Sequence, residues 1–203
     1  MPAAASVPAC LASRLWPAAA RPWWRTLVLT VVGVLLLVAA SKVRVPAWPV
    51  PVTLQTLCVL LVAACYGCRL GMVTVGAYLA LGAAGLPVFA GTPERGLGLS
   101  YMIGPTGGYL AGFLAAAALV GALADRGWDR RLFTAGLGMT AGIAVIIGLG
   151  WLRLSALVGW ERALEVGVVP FVPAEAVKIA LATCLLPLVW TLVGRASGRR
   201  RQG

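Results

Sequence analysis

Apolar residues run in long stretches along this chain, and short clusters of charged, glycine and proline residues separate them. The stretches do not alternate apolar and polar positions, as barrel strands would, so the pattern predicts helices. Each stretch reaches or approaches the length that a helix needs to cross a bilayer. We expect spans at about 24–40, 53–67, 70–86, 105–124, 132–152 and 174–193.

The amino-acid composition indicates whether water or lipid surrounds the folded chain. The chain has 203 residues, of which 61% are hydrophobic and 11% are charged, and its mean hydropathy is +0.93. So few polar residues cannot cover a water-soluble domain of this size, and lipid must face most of the surface. Backbone groups in lipid must pair internally. We therefore predict an all-α integral membrane protein, a bundle of six transmembrane helices.

The chain divides into a leader rich in alanine and proline at 1–23, a membrane domain at 24–193 and a basic tail at 194–203. The first span, with its basic start and the VAA before Ser41, also resembles a signal peptide with a cleavage site. We favour a retained helix, because the apolar run slightly exceeds a signal core. The sequence YGCRLG interrupts residues 52–86, which we therefore divide into two short helices. Loops are expected at 41–51, 87–104 and 153–172.

Basic residues are distributed unequally between the two sides of this topology. Eleven lie on the side of both termini and five on the other, and Lys178 lies within the last span. The eleven are Arg14, Arg21, Arg25, Arg69, Arg126, Arg130, Arg131, Arg195, Arg199, Arg200 and Arg201; the five are Lys42, Arg44, Arg95, Arg153 and Arg162. Because cytoplasmic loops carry the excess of lysine and arginine, we expect both termini in the cytoplasm and the three long loops outside.

Most catalytic classes find no support in the sequence. The chain has no histidine, no Walker A pattern and no nucleophile elbow, so we expect no enzyme, no metal and no cofactor. The net charge of +11 arises mostly from arginines at the ends of the predicted spans, so we expect no binding to nucleic acid. Cys65 and Cys68 form a C-x-x-C without a second pair, so reduced apolar side chains are favoured over a redox pair.

Glycines recur every four residues at Gly104, Gly108 and Gly112, and again at Gly138 and Gly142. Small residues at this spacing allow helices to approach closely. Packing inside the bundle is the favoured interpretation, and a smooth face that slides against a partner is the alternative.

Two charges in the last apolar segment are the candidates for chemistry. Glu175 and Lys178 are three residues apart, so both lie on one face of a helix. They either neutralise each other or point into a cavity, where the ammonium meets an anionic ligand group and the carboxylate accepts hydrogen bonds. Gln55, Tyr101 and Tyr109 also fall in the outer half of the bundle, which favours a shared site.

Four motifs occur in order along the chain: PVTLQTL at 51–57, GAAGLPVFAG at 82–91, GPTGGYLAGF at 104–113 and P-x-E-x-x-K at 173–178. In combination they resemble the BioY family, the biotin-binding S components of energy-coupling factor (ECF) transporters. The resemblance covers about residues 30–193. Here glutamate at 175 stands where the family more often has aspartate.

The resemblance implies a six-helix S-component bundle in a bacterial cytoplasmic membrane that captures biotin from outside. It implies a transmembrane coupling subunit and two ATP-hydrolysing subunits as partners, besides membrane lipid, and release of the cargo by toppling in the membrane. Lys178 matches the lysine that faces the biotin carboxylate, and Glu175 the acceptor for the ureido ring. The other residues that it places at the pocket are Gln55, Phe89, Gly91 and Tyr109.

Two alternatives stay open at this point. One is an S component for another small vitamin, against which the motifs argue. The other is a membrane assembly or scaffolding protein that uses its glycine faces for partners and binds no small molecule.

Overall fold

The fold is a bundle of long apolar helices. The structure, a computed structural model, describes residues 10–16, 22–45, 52–94 and 96–199. Its helices are α1 (Leu11–Leu15), α2 (Pro22–Lys42), α3 (Gln55–Ala83), α4 (Gly98–Ile103), α5 (Gly107–Asp125), α6 (Leu132–Val158), α7 (Trp160–Gly167) and α8 (Val172–Arg199). Strands β1 (Arg44–Val45) and β2 (Val52–Thr53) pair antiparallel, and Trp128–Arg130 forms a 3₁₀ turn. Among these residues, α2, α3, α5, α6 and α8 are long and apolar enough to cross a membrane.

Helix α3 contains two antiparallel halves. Its backbone leaves the helical region at Gly67, where φ is +79°. The side chain of Gln55 donates to the hydroxyl of Tyr78 over 2.8 Å, although a straight helix would place residues 23 positions apart roughly 35 Å from each other. The chain therefore folds back at Gly67, and the described residues contain six long helical segments, in agreement with the predicted fold class.

Glycine is required at this reversal for two reasons. A positive φ disfavours side chains with a Cβ, and a Cβ at Gly67 would collide with the carboxylate of Asp125. That carboxylate instead accepts a 3.0 Å hydrogen bond from the backbone N–H of Cys68. Since the first N–H groups of a helix have no partner within it, Asp125 fixes the start of the second half. The interruption predicted from YGCRLG lies at this point.

Two predicted loops are wrong in part. Helix α6 continues to Val158 and α7 follows at once, so most of 153–172 is helical, and 87–104 contains α4. The apolar residues of α7 alternate with charges at helical spacing. This pattern does not resemble a membrane span, and the sequence therefore predicts a loop there. The prediction of a loop at 41–51 depends on three prolines that lie outside the described residues: Pro46, Pro49 and Pro51. Arg95 and residues 1–9 and 17–21 of the leader also lie outside them.

Helix α5 lies at the centre of the bundle, between α3 and α6. A Cβ on Gly112 would lie 2.8 Å from the Cα of Ile146 on α6, and one on Gly121 would lie 2.6 Å from the Cα of Cys68. Gly142 likewise faces Leu60 and Val120. The glycines therefore serve packing inside the bundle, because only a missing side chain permits these backbone approaches. Gly104 does not share this face, because it follows α4 and precedes α5.

The two ends of the bundle differ. One end, which we call the site end, contains the starts of α3, α5 and α8 and the end of α6. The opposite end contains Gly67, the Trp128–Arg130 turn and Trp190. The ring of Trp190 lies 5.9 Å from the guanidinium of Arg14, which belongs to α1, as Leu11 does. Leu11 is buried in the core. The described part of the leader, residues 10–16, thus packs on the same end as the late part of α8.

Candidate functional site

A cavity of about 200 Å³ lies within the site end. Its apolar wall is formed by Ala90, Leu110, Phe113, Ile146, Ile147 and Phe171, and its polar wall by Thr53, Gln55, Thr56, Tyr101, Thr106, Tyr109, Glu175 and Lys178. Pockets for drug-sized ligands measure roughly 300–1,000 Å³. The volume and the mixed lining therefore suit a small ligand that carries both an apolar body and a few polar groups.

Glu175 and Lys178 form a buried ion pair on the first turns of α8. The ammonium lies 2.7 Å from Oε1 of Glu175, and the two side chains are 6% and 4% exposed, Lys178 first. Pro173 can occupy the first helical turn because its missing N–H has no partner there in any helix. The spacing of three residues then places both charges on the face of α8 that meets the cavity.

Thr56 on α3 completes this pair. Its hydroxyl accepts a 2.8 Å hydrogen bond from the ammonium of Lys178 and shares its own hydrogen between the two oxygens of Glu175, at 2.9 and 3.0 Å. Buried charges are tolerated when they are paired and hydrogen-bonded. We call Thr56, Glu175 and Lys178 the charged cluster. It presents an ammonium to the cavity already fixed in position by two partners.

Gln55 connects the cavity to the loop above it. Its side-chain amide donates to the hydroxyl of Tyr78 over 2.8 Å, and that hydroxyl donates to the carbonyl of Val88 over 2.9 Å. All members of this chain are buried. Gln55 therefore lines the cavity and also ties both halves of α3 to the segment that follows them.

Aromatic side chains border the cavity next to the loops of the site end. The Tyr109 hydroxyl donates to the carbonyl of Gly167 at the end of α7 over 2.6 Å, and the Tyr109 ring lies 6.2 Å from that of Phe171. On the other side, the Tyr101 hydroxyl donates to the carbonyl of Ala90 over 2.6 Å. These contacts hold the loops between α3 and α4 and between α7 and α8 against the helix ends.

Five of the seven residues predicted at the site line this cavity: Gln55, Tyr101, Tyr109, Glu175 and Lys178. Phe89 and Gly91 are not among the lining residues. Phe89 is buried behind the wall, where its ring stacks on that of Tyr101 at 5.1 Å and meets the edge of Tyr78. Their assignment to a ligand stays a prediction, and the structure gives Phe89 a packing role.

Sequence reasoning missed Thr56, Thr53, Thr106 and the apolar wall. A threonine within an apolar helix carries no distinctive signal, although Thr56 lies one position after Gln55 in the PVTLQTL motif. Phe113, Ile146 and Ile147 lie in continuous apolar runs of α5 and α6. Only the packing of these two helices shows which of their residues face the cavity.

These features define a multi-pass membrane protein with a small-molecule cavity at one end of its helix bundle. Residues 11–195 match the model of the BioY family. The chain belongs to this family, as the four sequence motifs indicated.

Relatives and a solved structure agree with this assignment. The "Probable biotin transporter BioY" of Pyrococcus horikoshii is 37% identical over 71% of this chain and 83% of its own length. The "Biotin transporter BioY" of Thermotoga maritima is 37% identical over 74% of this chain and 86% of its own. A crystal structure of the S-component for biotin from an ECF-type ABC transporter superposes with a TM-score of 0.70 at 23% identity, covering 83% of this chain and 92% of that one. The fold class is thereby confirmed, and these relatives are transporters rather than enzymes.

Proposed function

We propose that this chain is the substrate-binding membrane subunit of a biotin uptake system. The observation that carries the proposal is the charged cluster, which presents the buried ammonium of Lys178 to a small cavity that apolar side chains also line. Biotin combines a carboxylate, an apolar chain and a polar ureido ring. Its carboxylate would meet Lys178, and its apolar parts would pack on the α5 and α6 side chains. The ureido ring lies at the other end of the molecule, so it would meet polar lining residues other than Glu175, which is only 2.7 Å from Lys178; Gln55 is one such residue.

The family supports this choice of ligand over another vitamin. The two curated relatives described above are named as biotin transporters. A cationic vitamin such as thiamine would have to approach the ammonium of Lys178 against charge repulsion. We therefore assign biotin, and competition with other vitamins is the direct test of that choice.

Calorimetric titration of the purified protein with biotin tests the proposal. We expect saturable binding of one biotin per chain, with little competition from thiamine or riboflavin. The variant Arg162→Met is a matched control for the loss of the buried Lys178 charge. Arg162 and Glu165 form an ion pair at the same spacing of three residues, but their side chains are 67% and 64% exposed. That variant should bind normally, because exposed pairs contribute little. A folded protein that takes up no biotin would favour the scaffolding alternative.

Membrane orientation is part of the proposal. The excess of basic residues supports placing both termini in the cytoplasm and the cavity on the outer side. Glu94 and Arg131 are exposed and lie near opposite ends of the bundle. In a variant without native cysteines, Glu94→Cys should react with an impermeant thiol reagent in intact cells and Arg131→Cys only after lysis. Equal reaction of both would contradict six spans with this orientation.

Uptake against a gradient requires an energy source that this chain does not carry. It has no Walker A pattern, which supports separate ATP-hydrolysing subunits that act through a transmembrane coupling subunit. The purified chain in vesicles should hydrolyse no ATP. Hydrolysis at the rate of a complete transporter would refute this part of the proposal.

A further inference from the structure

The loop at 88–92 forms part of the cavity wall without belonging to a helix. Ala90 lines the cavity, and the loop's carbonyls accept hydrogen bonds from side chains. Ser41 donates to the carbonyl of Val88 over 2.8 Å, and Tyr101 donates to that of Ala90 over 2.6 Å. Helix ends or strands would have to unpair backbone bonds in order to move, whereas this loop has mainly side-chain contacts to release.

Lys42 supplies the charged contact to this loop. Its ammonium donates to the carbonyl oxygens of Phe89 and Thr92, each over 3.0 Å, and to the hydroxyl of Thr92 over 3.2 Å. The residue lies in the last turn of α2, where the helix dipole favours a cation. It is also exposed, so its ammonium can exchange these oxygens for water without being stranded in an apolar interior.

The cavity needs such a movable element. Gln55, Glu175 and Lys178 are buried, and a wall segment that can move gives a ligand access to them. The glycine contacts between α5 and α6 make that side rigid. Among the described residues, the lining segments outside the long helices are the 88–92 loop and the segments of Thr53, Tyr101, Thr106 and Phe171. Displacement of the 88–92 loop therefore leaves every long helix intact.

We propose that Lys42 is a latch that holds the 88–92 loop closed over the cavity and sets the rates of ligand entry and exit. This inference rests on the proposed function, because it takes the loop as the cover of a ligand site. Lys42 acts on the loop and not on the ligand: the oxygens that it contacts belong to Phe89 and Thr92, which are not among the lining residues. The latch therefore opposes opening in the empty and in the loaded state alike.

Exchange kinetics of labelled biotin with Lys42→Met test this role. A hydrogen bond from a charged group contributes about 1.5–3 kcal/mol, and exposure of Lys42 favours the lower end. We expect both the association and the dissociation rate to rise about tenfold. The equilibrium dissociation constant should change less than about threefold, because the two effects cancel. A rise in the dissociation rate alone would show that Lys42 contacts the ligand and would overturn the latch, as would two unchanged rates.

Arg126→Met is the matched control. Arg126 is exposed and donates to the carbonyl of Ala122 over 2.8 Å at the opposite end of the bundle. It therefore loses a similar bond from a cation to a backbone oxygen, far from the 88–92 loop. Both exchange rates should stay at the wild-type values. Equal acceleration in this variant would refute a specific role for Lys42.

Hydrogen exchange without any ligand separates this inference from the proposed function. Backbone amides at 88–92 should exchange faster in Lys42→Met than in the wild type, while those of α5 stay protected. If the wild type binds no biotin but the loop loosens in this way, the latch stands and the ligand is wrong. If biotin binds but neither loop exchange nor ligand rates respond, the latch is wrong and the ligand stands.

Discussion

Replacing Lys178 by methionine separates a binding role for the charged cluster from a structural one. Methionine keeps most of the apolar stem and removes the ammonium, which has hydrogen bonds of 2.7 Å to Glu175 and 2.8 Å to Thr56. Breaking one side of a buried pair costs roughly 3–5 kcal/mol of stability, because the remaining charge loses its partner. Thermal unfolding in detergent should detect this loss.

A second substitution removes the stability effect and leaves the binding effect. In the double variant Glu175→Gln and Lys178→Met no charge remains buried, and Thr56 can still bond to the amide. Replacing both partners of a buried pair is often close to neutral, so most of the stability should return. If the pair is only structural, ligand binding should return with it.

Affinity for biotin gives the decisive number. Loss of a charged bond to a desolvated carboxylate should weaken binding by roughly 2–5 kcal/mol, which is about thirty-fold or more. The double variant should not restore this affinity. Biotin amide, which has no carboxylate, should bind the wild type less well than biotin and lose little more on Lys178→Met, since the two changes remove the same interaction. If the acid and the amide lose affinity equally, Lys178 does not face the carboxylate and our placement of the ligand is refuted.

Three further predictions address packing, the aromatic wall and the opposite end. Gly112→Ala should destabilise the bundle by about 1–3 kcal/mol, because its Cβ would press on the backbone of α6; Gly148→Ala, whose Cβ would meet nothing within 4 Å, is the control, and equal melting temperatures would refute the close approach. Tyr109→Phe should weaken biotin binding about three- to tenfold, because the hydroxyl loses its hydrogen bond to the carbonyl of Gly167. Unchanged affinity would show that this hydrogen bond does not contribute to ligand binding. Burial raises the pKa of the Asp129 carboxyl, so its stabilising effect is complete at acid pH and is lost as pH rises through the folded-state pKa. The melting temperature of Asp129→Asn should therefore fall less with rising pH than that of the wild type. The same pH profile in both proteins would contradict a raised pKa of Asp129.

Positions that depend on local chemistry could be predicted from the sequence. Glu175 and Lys178 were identifiable because charges are costly within apolar segments. The division of α3 was predictable because YGCRLG combines a glycine with a polar residue inside an apolar run, and Gly67 has the positive φ that this reversal requires. Gln55 and Tyr109 were identifiable as side chains with polar groups near the ends of apolar segments, and the motifs indicated the same two residues.

Positions that depend on packing between helices could not be predicted from the sequence. Phe89 was placed in the pocket from its motif, yet it stacks behind Tyr101, and one residue of shift in a loop decides between these positions. Thr56 was overlooked because its importance lies in its distance to α8, which local sequence does not encode. The extension of α6 to Val158 was also missed, since its last turns carry Arg153 and Ser155 and resemble the start of a loop.

The opposite end of the bundle limits how a bound ligand could leave. Gly121 packs against the backbone at Cys68, and Asp125 bonds to the same residue. Asp129 accepts a hydrogen bond from the indole of Trp190, which joins α8 to the turn before α6. A path through the bundle would have to separate these backbones and expose their polar groups to an apolar interior, at several kcal/mol for each group left unpaired. If the proposed function holds, these contacts favour the release by movement of the whole bundle in the membrane that the family resemblance implies, in which the site end itself reaches the cytoplasmic side. Such a movement needs only the 88–92 loop to open a second time, and it leaves the charged cluster to re-form as the ligand departs.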